Sequence, residues 1–379
     1  MKAKTSFLKK FKLSKLHLIV IILGFLGIIT FIYLKQRQSP FPKGEPGQSQ
    51  GWGQRPGGAQ DFGGPTGTQA YKRWQGTIPK PPQGEVIIYK GFWSPPLISL
   101  RAESPFSNVD KVKEIGANII SFGPQFLVDK NGNIGYPWDF PTMEDLDSRM
   151  GELASIYYPK GIRFSLVLST NYVEQITKEA GGPPQPFPRD LLAKKGFLDK
   201  YNKVVEEMAK IAQKYQVEMF SPLNEPDGNL GVEIAYQWNE EMLPRIKKYY
   251  KGKLYYKGDL HNGEGEKLSF KGYDVLGFMP SAPINDSGVE FRRLVAKNIA
   301  NAIKWAKRDE VPKIMVAEFG AWAGMNLTDQ AALSRYKILF EEGKGKVNGF
   351  SVIDPPSDQP NFLKGQILEE LKLWYTTKL

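Results

Sequence analysis

The chain has 379 residues, 41% of them hydrophobic, which suits one large domain or two smaller ones. It contains no cysteine and two histidines, which excludes disulfides, thiolate metal sites and a cysteine nucleophile and leaves little for a histidine metal site. The formal net charge of +11 falls within residues 1–82, so the rest of the chain is neutral and gives no reason to expect a nucleic-acid partner.

The amino-terminal segment is predicted to be a single-pass membrane anchor that contacts lipid. Residues 18–34 are an uncharged apolar run, near the lower limit of the ~17–25 residues that span a bilayer as a helix. Lysines crowd the preceding residues 1–17, which the positive-inside rule places in the cytoplasm, with the remaining chain outside the membrane. A cleaved signal peptide is the alternative, but residues 31–35 lack the small side chains of a cleavage site.

A linker and a folded domain are predicted to follow. Residues 35–83 are rich in Gly, Pro and Gln and poor in aliphatic side chains, a composition typical of a flexible linker that cannot bury enough apolar surface to fold. Residues 84–379 have the composition of a globular domain.

From residue 84 onward, apolar runs of strand length alternate with helical patterns. The runs are 85–89, 118–122, 162–168, 217–220, 254–257, 275–279, 313–317 and 349–353, and the helical patterns are 143–158, 195–215, 231–250, 288–308 and 328–343. Eight strands with this alternation predict an α/β fold of the (β/α)8 TIM-barrel type, with parallel strands and right-handed crossovers. An open doubly wound sheet is the alternative, but no glycine-rich phosphate loop follows the first run.

Two carboxylates follow predicted strands. Glu225 comes after the fourth, in SPLNEPDGN, and Glu318 ends the seventh, in KIMVAEFG. The carboxyl ends of barrel strands converge on the active-site face, and an acid at the end of a buried strand is costly unless it is paired or functional. Two acids that face each other across the barrel mouth suit the hydrolysis of a glycosidic bond, in which one protonates the leaving oxygen and the other attacks the anomeric carbon.

With Asn-Glu-Pro after strand four and Ala-Glu-Phe-Gly after strand seven, the sequence resembles the retaining glycoside hydrolases of clan A, which are (β/α)8 barrels. The resemblance implies that Glu225 is the general acid/base, that Glu318 is the nucleophile and that Asn224 binds the sugar 2-hydroxyl. It implies no metal and no organic cofactor. The chain departs from the clan pattern at strands two, six and eight, which lack the expected arginine, the Tyr or His, and the tryptophan.

Further substrate-binding candidates follow other predicted strands. Polar candidates are Arg101, Asn171, Tyr172 and His261, and aromatic candidates, whose rings can stack on sugar faces, are Trp93, Trp138 and Trp322. The sequence thus predicts a membrane-anchored, extracytoplasmic retaining hydrolase whose partner is an oligo- or polysaccharide with β-linkages. The alternative is a non-catalytic carbohydrate-binding or envelope-organising protein on the same barrel, since a fold does not dictate an activity.

Overall fold

The computed structural model describes residues 73–96, 108–129, 131–137, 140, 142–172, 195–280, 288–320, 328–353 and 365–379. The predicted membrane helix 18–34 and most of the predicted linker lie outside these ranges. Among the described helices, none combines the length and the apolar character that crossing a membrane requires.

Eight parallel strands close into a barrel, which confirms the predicted fold. The described strands are β1 (Tyr89–Pro96), β2 (Ile119–Gly123), β3 (Gln125–Val128), β4 (Ile134–Gly135), β5 (Arg163–Val167), β6 (Ser169–Tyr172), β7 (Met219–Ser221), β8 (Lys253–Lys257), β9 (Val275–Phe278), β10 (Lys313–Phe319) and β11 (Gly349–Ile353). The barrel runs β1, β2, β5, β7, β8, β9, β10 and β11, and β11 pairs with β1 to close it. Every pairing within the barrel is parallel, as expected of strands joined by helical crossovers.

Most of the helices cover the outside of the barrel. Those described are α1 (Val109–Glu114), α2 (Met143–Tyr157), α3 (Lys195–Lys214), α4 (Pro226–Leu230), α5 (Val232–Tyr249), α6 (Val289–Arg308), α7 (Asp329–Gly343) and α8 (Gly365–Leu373). The five helices predicted from apolar periodicity are α2, α3, α5, α6 and α7, each within two residues of its predicted bounds. Their apolar faces and the outer faces of the strands form the larger hydrophobic core.

The first strand lies four residues later than predicted. The apolar run 85–89 suggested a strand, but the chain pairs with β2 and β11 only from Tyr89 onward, and Ile87 is 76% exposed. Gly91 packs so closely on β2 that a Cβ there would lie 2.8 Å from the Ile119 side chain. The pairing register of the closed sheet therefore determines where this strand begins, and the local run of apolar residues does not.

A small second sheet extends the barrel at the carboxyl ends of its strands. The chain leaves β2 and β5 and continues as β3 and β6, which pair in parallel, and β4 adds an antiparallel edge to β3. On this sheet the Asn171 amide nitrogen donates a hydrogen bond to the Gln125 amide oxygen at 2.8 Å. The second sheet thus places polar side chains, among them Gln125 and Asn171, along one side of the barrel mouth.

The barrel interior is filled by side chains up to the level of the site. Tyr255 of β8 is fully buried, and its ring passes so close to Gly277 of β9 that an added Cβ would lie 2.5 Å from the ring. Tyr255, Met315 and Ala317 belong to the smaller, interior core. This packing gives the site a closed floor.

Residues 73–83 precede the barrel and contact it. Trp74 packs on α2, where a Cβ added to Gly151 would come within 2.2 Å of the indole ring, and its backbone N–H donates to the Ser148 hydroxyl. The neighbouring Arg73 pairs with Asp145 at 3.3 Å and with Glu144. These contacts attach the segment before the first strand to the outside of the barrel.

A charged network closes the opposite, amino-terminal end of the barrel. Glu218, just before β7, accepts hydrogen bonds from Tyr89 at 2.9 Å, Arg163 at 2.7 Å and Lys253 at 2.6 Å. Burial alone would raise the pKa of Glu218, but the Lys253 ammonium, assisted by the Tyr89 hydroxyl and Arg163, outweighs burial and lowers it.

Replacing Glu218 with glutamine is expected to destabilise the protein by about 2 kcal/mol at neutral pH, because the amide has no negative charge and places an NH2 donor where one of the two acceptor oxygens was. The lowered pKa of Glu218 means that its contribution is present above the ordinary glutamate range and is lost as pH falls through the folded-state value. Urea unfolding between pH 3 and pH 7 measures both effects. Glu207→Gln, which removes an exposed pair with Lys210, is the control and should cost less than about 0.5 kcal/mol. Equal losses in the two variants would contradict this role of Glu218.

Candidate active site

A polar cavity of about 280 Å³ lies at the carboxyl end of the barrel. Within the described residues it is lined by Trp93, Gln125, Ser169, Thr170, Asn171, Asn224, Glu225, Asn229 and Glu318. Five residues predicted from the sequence therefore meet at one cavity: Glu225, Glu318, Asn224, Trp93 and Asn171. Its size is near the lower end of the roughly 300–1,000 Å³ found for small-molecule sites.

Glu225 occupies a tight junction between β7 and α4. Its backbone is left-handed, with φ 48° and ψ 57°, a conformation that costs a residue with a Cβ about 1–2 kcal/mol. Two hydrogen bonds hold it there: its N–H donates to the Lys257 carbonyl at 2.8 Å, and its carbonyl accepts from the Asn229 N–H at 2.8 Å. Pro226 then begins α4 directly. The strained turn fixes the carboxylate at the edge of the cavity, with 26% of its side chain exposed.

Glu318 faces the cavity because of a bulge in β10. Along β10, the pairing with β11 moves from Val316 to Phe319, a step of three residues. Along β11, the same step covers two residues, from Phe350 to Val352. The additional residue shifts the alternation of side chains, so that Glu318 turns toward the cavity while Phe319 packs in the outer core. The Glu318 side chain is 8% exposed.

A lysine that the sequence reasoning missed lies between the two carboxylates. Lys257, the last residue of β8, has no exposed surface. Its Nζ donates to Glu318 Oε2 at 2.5 Å, Asn224 Oδ1 at 2.6 Å and Glu225 Oε1 at 3.3 Å. The same nitrogen lies 4.5 Å from the centre of the Trp93 ring, a cation–π contact. Lys257 thus contacts three polar side chains of the cavity and also Trp93, the only aromatic residue in the described lining.

The electrostatics of this group follow from burial and charge. Burial alone would lower the pKa of Lys257, but the adjacent Glu318 and Glu225 carboxylates outweigh it and raise that pKa. An ammonium has three N–H donors, and the three acceptors match them in number. Burial raises the pKa of Glu318 and the negative Glu225 adds to this, while the Lys257 ammonium acts in the opposite direction.

Asn224 forms side-chain hydrogen bonds with both Lys257 and Glu225. Its amide oxygen accepts from Lys257, and its amide nitrogen donates to Glu225 Oε1 at 3.1 Å. Its backbone N–H donates to the Leu168 carbonyl at 2.6 Å, and its carbonyl accepts from the Asn229 side chain at 2.7 Å. These bonds fix the orientation of the amide plane toward the cavity.

The remaining candidates divide into three groups. Trp93 lines the cavity but is only 2% exposed, with the Lys257 ammonium over its ring, so it offers little surface for a sugar to stack on. Asn171 lines the cavity and is paired with Gln125. Outside the described part of the structure lie Arg101, Trp138, Trp322 and the side chains of Tyr172 and His261.

The sequence carried a weak signal for Lys257. Side chains of a strand alternate between faces, so Tyr255 and Lys257 share the inward face of β8 and Lys257 is nearest the mouth. A lysine at the end of a strand is ordinarily read as solvated, and its partners are distant in the sequence. Within the described residues, no group of three or more His, Cys, Asp or Glu side chains is arranged to hold a metal ion.

No known family model matches the sequence, and no curated protein matches it. Solved structures do match at the level of the fold. A GH113 β-1,4-mannanase superposes with a TM-score of 0.57 and 16% identity, over 76% of this chain and 99% of that one. The GH113 β-mannanase AaManA from Alicyclobacillus acidocaldarius, in complex with ManMIm, gives 0.58 and 13%, over 76% and 97%.

A third match is the cellulose synthase subunit Z (CcsZ) from Clostridioides difficile, with a TM-score of 0.53 and 18% identity, over 75% of this chain and 99% of that one. The structural neighbours are thus (β/α)8 barrels that include clan A glycosidases, as the sequence resemblance predicted. At these identities the likeness establishes the fold.

Proposed function

We propose that this protein is a retaining glycoside hydrolase that cleaves β-linked glycans by double displacement, with Glu225 as general acid/base and Glu318 as nucleophile. The observation that carries the proposal is the spacing of the two carboxylates. Glu225 Oε1 and Glu318 Oε2 both contact the Lys257 nitrogen, so these two oxygens are no farther apart than the two contact distances together, about 5.8 Å. This limit fits the ~5–5.5 Å of retaining enzymes better than the ~6.5–9.5 Å of inverting ones.

The burial of each carboxylate supports its proposed role. Glu318 is the more buried and the closer to Lys257, as suits an anion that must attack one defined carbon. Glu225 is the more exposed and lies on the rim, where a leaving oxygen and later a water molecule can reach it.

The structural neighbours suggest where to look for the substrate. Two of them are β-mannanases by name, and one of these is named as a β-1,4-mannanase, so we propose β-1,4-linked hexose polymers as the first class to test. The cavity lining supports a neutral sugar, since its hydroxyl and amide side chains can bind hydroxyl groups through hydrogen bonds.

We also propose that residues 18–34 anchor the enzyme in a membrane with the barrel outside, on the basis of the uncharged run and its lysine flank.

The experiment is a substrate panel with the full-length protein. Aryl β-glycosides of mannose, glucose, galactose and xylose are tested for chromophore release, and β-mannan and β-glucan are tested for new reducing ends. At least one substrate should be cleaved, and proton NMR should show the β-anomer as the first product. A first product with inverted configuration would contradict the proposed mechanism.

A non-catalytic carbohydrate-binding role remains the second candidate. The observation that favours it is that Lys257 pairs with both carboxylates, as it would in a purely structural ion-pair cluster. Saturable glycan binding, by calorimetry, without product from any member of the panel would support this second function over the first.

A further inference from the structure

Lys257 can influence a reaction in the cavity only through its neighbours. It has no exposed surface and does not line the cavity, so it makes no contact with a bound sugar. All three of its N–H groups have protein acceptors, and two of these are the proposed catalytic carboxylates. The ammonium therefore supplies one fixed positive charge within hydrogen-bond distance of both acids.

We propose that Lys257 is a positioning residue that balances the single negative charge of the site as this charge passes from Glu318 to Glu225 and back. The inference rests on the proposed function, because it assigns the lysine a part in both halves of a double displacement. Its geometric basis is that one nitrogen reaches both carboxylates, at 2.5 Å and 3.3 Å.

In the first half of the reaction the charge leaves Glu318. A Glu318 oxygen bonds to the anomeric carbon, the bond from that carbon to the leaving oxygen breaks, and the Glu225 proton passes to the leaving oxygen. Glu318 becomes a neutral ester and Glu225 becomes a carboxylate. The sum of charges on the two acids stays at minus one, so the ammonium remains balanced throughout.

In the second half the charge returns. Water bonds to the anomeric carbon, Glu225 takes a proton from that water, and the bond between the carbon and the Glu318 oxygen breaks. Without Lys257, the carboxylate present in each half would lose the ammonium that contacts it in the described part of the structure. With it, both the Glu318 and the Glu225 carboxylates keep a charged hydrogen-bond donor.

Several titratable groups face Glu318 and set its protonation. They are Lys257 and Tyr255 from β8, Asp259 just after β8 and Glu225 from the β7 to α4 turn. Of these groups only Lys257 favours the ionised form of Glu318, whereas burial, Glu225 and Asp259 all raise its pKa. Removing the ammonium should therefore raise the pKa of Glu318 further and shift the acid limb of kcat/KM to higher pH.

The absence of cysteine permits a clean chemical test. In Lys257→Cys the new thiol is the only one in the protein. Alkylation of the unfolded full-length chain with 2-bromoethylamine, followed by refolding, restores an ammonium of lysine length. Alkylation with 2-bromoethanol gives a neutral side chain of the same length as the matched control. Lys257→Met supplies the neutral state without chemistry, and wild type taken through the same unfolding and refolding is the reference.

The readouts use the panel glycoside that wild type cleaves, with a dinitrophenyl leaving group. The pre-steady-state burst reports the first half-reaction and the steady rate reports the second. The neutral side chains should slow both by about 10²-fold, with KM nearly unchanged, and should move the acid limb to higher pH. The aminoethylated protein should recover both rates and the wild-type pH profile, which a merely structural role would not predict.

Three outcomes would overturn the inference. If the wild type is active and the neutral variants have the same rates and pH profile, Lys257 has no part in the reaction. A slower burst with an unchanged steady rate would show that Lys257 acts only in the first half-reaction, through Glu318 alone. Recovery of both rates by the hydroxyethyl as well as the aminoethyl side chain would show that the packing of the side chain matters and that its charge does not. A wild type that cleaves nothing is a separate result, which rejects the proposed function and this inference with it.

Discussion

Replacing Glu318 with glutamine is expected to lower kcat by at least ~10³-fold on every substrate that the wild type cleaves, because the amide cannot form the glycosyl ester. The fold should persist, since glutamine keeps the shape of the side chain and the bulge that turns it toward the cavity depends on backbone pairing. The measurement is kcat on the best panel substrate, together with the thermal unfolding midpoint.

Two controls sharpen the Glu318 result. Glu233→Gln makes the same chemical change at an exposed position of α5 and should leave kcat unchanged. In Glu318→Gly, a small anion such as azide can enter the space of the lost carboxylate and attack the anomeric carbon, so azide should restore turnover and give a glycosyl azide of inverted configuration. Activity of Glu318→Gln within tenfold of wild type would contradict the role of nucleophile.

Replacing Glu225 with glutamine is expected to have an effect that depends on the leaving group. For polysaccharides and other substrates with a poor leaving group, kcat/KM should fall by ~10²–10⁴-fold, because nothing protonates the departing oxygen. For a dinitrophenyl glycoside, whose leaving group needs no proton, the first half-reaction should fall far less. Comparison of kcat/KM for the two kinds of substrate gives the measurement.

The contrast between the two acids distinguishes their roles. Loss of the nucleophile should affect good and poor leaving groups alike, whereas loss of the acid/base should affect mainly the poor ones. An equal loss for both kinds of substrate in Glu225→Gln would indicate that this residue acts in binding or in the local fold, where it holds a strained left-handed turn. The same Glu233→Gln variant serves as the control.

The architecture was predictable because it depends on patterns that repeat. Helices such as α5 and α6 keep an apolar face over several turns, and strands such as β9 and β11 are short buried runs, so both leave a signal within a local window. The start of β1 left no such signal. Its residues Gly91 and Trp93 are placed by pairing with strands on either side.

Half of the candidate site was predictable for a similar reason. Glu225 and Glu318 are acids at the ends of buried strands, where an acid is unusual enough to be noticed. Lys257 was missed because its burial depends on partners 32 and 61 residues away. The orientation of Glu318 depends on a bulge that exists only in the pairing of β10 with β11. Contacts between distant strands decide both features, and no local pattern encodes them.

The proposed mechanism requires Glu318 to become covalently attached to the sugar during turnover. The most direct measurement is mass spectrometry of the wild-type protein after incubation with the 2-deoxy-2-fluoro glycosyl fluoride of the sugar that it cleaves, which slows the second half-reaction. We expect a mass increase of one fluoroglycosyl unit, located on the peptide that contains Glu318 and absent from Glu318→Gln. An active wild type that gains no such mass, or gains it on another residue, would contradict the role of Glu318 as nucleophile.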